Sequence, residues 1–195
     1  MAQDLALRAD CSRCAALCCV GLHFDRSEEF AVSKAAGEPC RYLGAGQLGS
    51  RHRCNIHPRR SALGFGGCVG YDCLGAGQRV TQQLFGGRSW RADPALLGPM
   101  LDAFFTVRHL HELLELLGVA RRLPLGREQR SEWRELERAL APVAGFGLAE
   151  LERLELGPLS ARLRAFLATL RPHASDAADG RRRLPLSPEQ PRSGY

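Results

Sequence analysis

Long apolar runs are missing from this chain. Nowhere do about 18 consecutive apolar residues occur, so no segment reads as a transmembrane helix and no membrane association is expected. The opening "MAQDLALRAD" also lacks the apolar core of about 7–15 residues that an export leader needs, because Asp4, Arg8 and Asp10 interrupt it. The expected compartment is the cytoplasm. Alternation of apolar and polar residues is absent too, which argues against a fold built on half-buried strands. Lysine is almost absent: the net charge of +6 rests on 27 cationic side chains, all arginine except Lys34. Such a bias follows from a GC-rich coding sequence as readily as from a selected patch. Aromatic residues, 7% of the chain, are not interleaved with the arginines where they could stack bases, so the charge is not read as a nucleic-acid footprint.

Cysteine, by contrast, is plentiful, with eight in 195 residues. In a reducing compartment this many cysteines points to metal binding or thiol chemistry rather than to structural disulfides. Four of them, Cys11, Cys14, Cys18 and Cys19, fall within "DCSRCAALCC". Were that segment helical, Cys11, Cys14 and Cys18 would share one face and Cys19 would turn about 100° away from it. The others are Cys40 in "GEPCRYL", Cys54 in "RCNIH", and Cys68 and Cys73 in "GFGGCVGYDCLGAG". A closed structural zinc site takes four ligands. Eight sulfurs therefore allow two four-ligand sites, one bridged cluster, or one site with spare thiols, and spacing does not choose among them. The cofactor expected on these eight residues is zinc or an iron-sulfur cluster.

Three zones are expected. Residues 1–92 hold every cysteine and most glycines, and their short apolar segments suit loops and brief helices that need a staple. Residues 93–171 read as helices. "DPALLGPMLDAFFTVRHLHELLELLG" opens with Asp93 as N-cap and Pro94 in the first turn, and Gly118 is its candidate C-cap. Its stripe comprises Leu97, Met100, Leu101, Phe104, Leu110, Leu113, Leu114 and Leu117, with Pro99 a candidate kink. A second helix is expected in "REQRSEWRELERALAPV", started by Ser131 or the polar run before it, with Trp133, Leu136 and Leu140 inward; Gly145 and Gly147 then break the chain. A third, in "GPLSARLRAFLATLR", places Leu159, Leu163, Phe166, Leu167 and Leu170 on one side. Residues 172–195, rich in Pro, Ser, Asp and Arg, read as a disordered tail. The fold class is mainly α: an irregular, metal-stapled Cys-rich zone packed on a small helical bundle.

The order CxxCxxxCC, then Pro-Cys, then Cys-x-Ile-His, then Gly-Phe-x-Gly-Cys and Tyr-Asp-Cys resembles the CxxCxxCC family, described as a zinc- or iron-chelating domain of eight cysteines. It is more similar still to the cysteine-rich amino-terminal region of bacterial pentapeptide-repeat proteins, where segments matching "DCSRCAALCC", "CNIH", "GFGGCVGYDCLGAGQ", "FGG" before Trp90 and "RHLHELL" occur in this order. The likeness covers roughly residues 10 to 117 and implies a metal site on the eight matching cysteines. No five-residue repeat follows residue 171, so the function of a repeat solenoid is not implied here.

Other residues carry weaker signals. His57 could replace a thiolate as ligand, although Pro58 favours a local turn that would occupy it. Cys54/His57 and Cys19/His23 are thiol–imidazole pairs by nearness in sequence alone. His109 and His111 read as helix-surface or interface residues. "GAGQLG" at residues 44–49 matches GxGxxG without the strand and helix that a dinucleotide site needs. With "LGAGQ" at 74–78 it looks more like close approach of backbone to a metal site. Arg51, Arg53, Arg59 and Arg60 surround Cys54, where they could grip phosphate or balance the charge of a tetrathiolate. Three function classes follow. The first is a metal-binding protein with a structural or regulatory role through a protein partner, the second a redox or metal-dependent enzyme using an iron-sulfur cluster, and the third a nucleic-acid-binding zinc module. A nucleic-acid partner is the least favoured.

Overall fold

The computed structural model describes residues 7–44, 54–142 and 145–172. Among these, seven α-helices follow one another: α1 (Leu17–Gly21), α2 (Gly66–Gly70), α3 (Ala76–Arg79), α4 (Leu97–Ala120), α5 (Arg127–Leu140), α6 (Leu148–Glu152) and α7 (Leu156–Thr169). A π-turn, Val80–Leu84, continues α3. The protein is mainly α, as its periodicity requires, and extended pairing among the described residues is limited to two isolated bridges, Phe24 with Lys34 and Leu43 with Cys54. The tail expected over 172–195 lies, from residue 173 onward, outside the described residues, as do Arg51, Arg53 and most of "GAGQLG".

Helix α4 is the axis. The Asp93 carboxylate accepts the Ala95 N–H at 3.2 Å, capping a 3-10 turn over Pro94–Leu96 that leads into the helix. Pro99 falls in the first turn of α4, where its missing N–H has no carbonyl to lose, so the helix runs on unbroken. Gly118 is not its end. The helix continues to Ala120 and closes when the Arg121 N–H bonds the Leu117 carbonyl. Met100, Phe104, Leu110, Leu113 and Leu117 are buried as their spacing demands, whereas Leu97, Leu101 and Leu114 are half-buried flanks.

Helices α5 and α7 pack on α4 and on each other. Helix α5 starts four residues before Ser131, where the Gln129 side chain accepts the Gly126 N–H at 2.9 Å. Leu136 and Leu140 are buried, and Trp133 reaches across to donate its indole N–H to the Leu117 carbonyl at 2.8 Å. Leu163 and Phe166 of α7 are buried, as is Leu170 just past its end. Arg162 joins α7 to α5 through Glu132 (2.7 Å) and Glu135 (2.6 Å). The break at Gly145 and Gly147 holds, and the short α6 follows it.

The Cys-rich zone has little core of its own. Its Ala15, Leu17, Cys73, Ala76, Val80 and Phe85 join the same buried cluster as α4, α5 and α7. A second, smaller cluster forms from Ala16, Val20 and Leu43, with Cys19, Cys40, Trp90 and Leu97 against it.

Candidate metal centre

All eight cysteines are free. The segment that carries the first four is not one helix. Cys11 opens a 3-10 turn, Ala16 breaks the chain with a left-handed φ of 59°, and Cys18 and Cys19 lie in α1. The face that Cys11, Cys14 and Cys18 would share in a helix therefore does not form by helical periodicity. The segment is instead placed by a clamp from residues 78–82. Gln78 accepts the Asp10 N–H (3.0 Å) and donates to the Arg8 carbonyl (2.7 Å), and Gln82 donates to the Arg13 carbonyl (2.7 Å). Thr81 accepts the Ala15 N–H (2.9 Å) while donating to the Gly77 carbonyl (2.8 Å). These three polar side chains of α3 and the π-turn dock residues 8–15 by their backbone, and Trp90 adds a bond to the Ala15 carbonyl at 2.8 Å.

The clamp brings Cys14 to Cys73. A Cβ built on Gly77 would stand 2.5 Å from the Cys14 Sγ and 3.9 Å from the Cys73 Sγ, so both sulfurs rest on backbone that only glycine leaves open. Burial pushes the Cys14 thiol up to about 12, and the charges of Cys73 and Cys11 push the same way. Cys11, although exposed at the rim, is also raised by desolvation, with Cys19 and Cys73 adding to it. Beside them the Tyr71 hydroxyl is buried without a hydrogen-bond partner. Desolvation raises its phenol, Arg108 stacked 5.2 Å from its ring opposes this, and the charges of Cys18 and Cys73 reinforce it.

The remaining cysteines collect around a different frame. The Cys40 N–H donates to the Cys19 carbonyl at 3.0 Å, and the Leu43 N–H to the Cys40 carbonyl at 2.8 Å. Leu43 in turn bridges Cys54. Helix α2, which carries Cys68, is docked by Gly67 on the Glu29 carbonyl (3.1 Å) and by Arg60 on the Cys68 carbonyl (2.7 Å). Lys34 is only 7% exposed, and its ammonium donates to the carbonyls of Val20 (2.8 Å), Ala35 (2.8 Å) and Glu38 (2.9 Å). Desolvation lowers its pKa, and the charges of Cys40, Cys19 and Cys18 hold it up. Burial raises Cys68 to about 11, with Cys19, Cys40 and Cys54 adding to it and Arg60 opposing. Cys54 is raised for the same reasons, by burial, Cys19 and Cys40.

Cys18 and Cys19 form the seam, their sulfurs 4.0 Å apart. The Cys18 thiol is raised and the Cys19 thiol lowered by the hydrogen bond between them, and Lys34 and Arg60 further favour the Cys19 thiolate. Among the described residues, no three His, Cys, Asp or Glu side chains form a group that could hold a metal ion. The donor set nonetheless suits a thiophilic ion: soft sulfur, two flanking cations, an unpartnered buried hydroxyl, and backbone opened for sulfur at Gly77.

The histidines lie elsewhere. His57 is exposed on a 3-10 turn with Pro58, the local role its sequence suggested, and its carbonyl accepts from Arg60 at 3.0 Å. His23 faces Asp25 at 3.3 Å. Among the described residues no hydrogen bond joins a cysteine thiol to an imidazole; Cys54 and His57 meet only through backbone, the His57 N–H donating to the Cys54 carbonyl at 3.1 Å. His109 is exposed and bonds Ser160 of α7 at 2.9 Å. His111 corrects the surface expectation: it is 1% exposed, with Nδ1 2.6 Å from the Leu74 carbonyl and Nε2 3.4 Å from Arg79. Gln78, Thr81, Gln82, Lys34 and Tyr71 carried no sequence signal. The nearest hint was the polar run "TQQ" on an otherwise buried turn.

No protein-family model matches the chain, and no solved structure matches it. Comparison with curated proteins finds the uncharacterized protein YybG of Bacillus subtilis (strain 168), 39% identical over 136 residues, which are 68% of this chain and 47% of that protein. The chain thus spans about half the length of the relative it matches.

Proposed function

We propose that this protein binds zinc or an iron-sulfur cluster through its eight cysteines, and that the metal staples the amino-terminal zone onto the helices, which act through a protein partner. The observation that carries this reading is the gathering of eight reduced cysteines, dispersed from residue 11 to residue 73, around α1. Small buried hydrophobes would need no such convergence. The cations beside them, Lys34 and Arg60, balance thiolate charge rather than face solvent. The CxxCxxxCC, Cys-x-Ile-His and Tyr-Asp-Cys segments support the same reading through their resemblance to the CxxCxxCC family.

The metal would supply a tetrahedral or cluster sulfur environment whose binding energy is folding energy, because the site does not exist in the unfolded chain. Phe105, Leu116 and Val119 on α4 are exposed, as are Leu63 and Val69, and they give a partner apolar side chains to contact. A nucleic-acid role has less support, since Arg60 is spent on the carbonyls of His57 and Cys68. Elemental analysis of protein purified without oxygen tests the proposal. The expected result is at least about one equivalent of a sulfur-bound transition metal, colourless if zinc and brown if a cluster. Less than about one-tenth equivalent, with all eight thiols freely titratable, would refute it.

A further inference from the structure

Resting on that reading, we infer that the eight cysteines form two separate four-sulfur metal centres, Cys11/Cys14/Cys18/Cys73 and Cys19/Cys40/Cys54/Cys68, set back to back across the Cys18–Cys19 peptide.

Packing divides them first. Cys73 belongs to the main buried cluster, with Cys14 and Cys18 against it, whereas Cys19 and Cys40 pack on the separate cluster of Ala16, Val20 and Leu43. Backbone geometry draws the same line. Cys14 and Cys73 meet over Gly77, while Cys40 is bonded to Cys19 and, through Leu43, tied to Cys54. The electrostatic neighbours mostly follow: Cys73 acts on Cys14, Cys18 and Cys11, and Cys40 acts, after Cys19, on Cys54 and Cys68, while Cys11 at the rim feels Cys19 more than Cys73. Only Cys19 reaches across, to Cys18 and Cys11.

The 4.0 Å between the Cys18 and Cys19 sulfurs would also suit two ligands of one ion, since a metal–sulfur bond of about 2.3 Å sets tetrahedral sulfurs roughly 3.8 Å apart. Their partners decide the matter. Adjacent helical residues diverge by about 100°, and beyond the sulfur pair Cys18 packs with Cys14 on the cluster that holds Cys73, while Cys19 packs with Cys40 on the other and its carbonyl accepts the Cys40 N–H. The two centres also differ in charge. Lys34 is hydrogen-bonded within the loop that carries Cys40 and acts first on Cys40 and Cys19, so the second centre is the one with a built-in cation. The first has the Tyr71 hydroxyl at its side instead.

Cadmium-113 substitution of the full chain under reducing conditions tests this, with the metal itself as the probe. Two resonances of equal intensity are expected, one correlated with the β-protons of Cys11, Cys14, Cys18 and Cys73 and the other with those of Cys19, Cys40, Cys54 and Cys68. Cys14→Ser and Cys40→Ser should each erase only the resonance of its own centre and halve the bound cadmium; if either variant does not fold, the parent spectrum decides alone. A single resonance, or one ion correlated with both Cys14 and Cys40, overturns the division and leaves the metal reading standing. No bound cadmium, with all thiols free, overturns both.

Discussion

Gly77 shows how much of this protein rests on single residues outside its motif. Alanine there would raise helix propensity slightly, yet its Cβ would strike the Cys14 sulfur at 2.5 Å. The sulfur must then swing away from Cys73. Gly77→Ala is expected to destabilise the protein by about 1–3 kcal/mol and to lower its metal content, both measured on the purified variant; an unchanged melting curve and unchanged metal would contradict the close approach. His111 is the other test at this scale. Burial, aided by Arg79 and resisted by the Leu74 carbonyl, pushes its pKa down from 6.5 to about 4. An unfolded chain therefore takes up a proton on this side chain well before the folded one does. Stability is full above about pH 6.5 and is lost as pH falls toward 4, by about 3 kcal/mol in total. His111→Gln should flatten that part of the pH profile in urea unfolding, and parallel profiles for the two proteins would sink the assignment. The eight cysteines were legible as residues, because their number and spacing are chemical facts of the sequence. The clamp by Gln78, Thr81 and Gln82 was not, because a glutamine that bonds a backbone about 70 positions away looks like any surface glutamine.

At the scale of elements, the long helices and the Asp93 cap that opens α4 were readable, and the other ends were not. Periodic leucines fix which face of α4, α5 and α7 is buried, since burial follows the 3.6-residue repeat regardless of context. Ends depend on local competition. Gly118 was overridden because the turn beyond it still packs Ala120 inside, and Pro99 is silent because it falls in the first turn. The face that a helical "CSRCAALCC" would give Cys11, Cys14 and Cys18 does not form, for a tertiary reason. The clamp on residues 8–15 requires the left-handed Ala16, so Cys14 and Cys18 reach their common neighbour Cys73 by a break rather than by a face. The α5–α7 ion pairs illustrate an element contact that should matter little. Arg162 holds Glu132 and Glu135 in a half-exposed setting where such pairs are worth at most about 1 kcal/mol. Arg162→Met is expected to shift stability by no more than that and to leave metal content untouched; loss of metal in this variant would mean the helical bundle and the centre are coupled more tightly than their packing implies.

The whole molecule joins two textures on one core. The helical half carries its own apolar stripes, whereas residues 7–92 contribute scattered side chains to the cluster centred on α4 and otherwise rely on loops. That contrast was visible in composition, since glycine and cysteine crowd one half and leucine the other. The continuity of the core across it was not, because Ala15, Leu17 and Val80 lie too far from α4 in sequence for any local pattern to join them. A zone of this kind, whose buried side chains are scattered over loops and short helices, is the part whose folding a metal would control. Hydrogen exchange of the full chain, purified without oxygen and compared before and after its metal is stripped under reducing conditions, tests that claim most directly. Amides of the Cys-rich zone, including those of Ala15, Cys40 and Asn55, are expected to lose their protection on stripping while those inside α4, α5 and α7 keep most of theirs. Equal protection of the Cys-rich zone with and without metal would contradict the account.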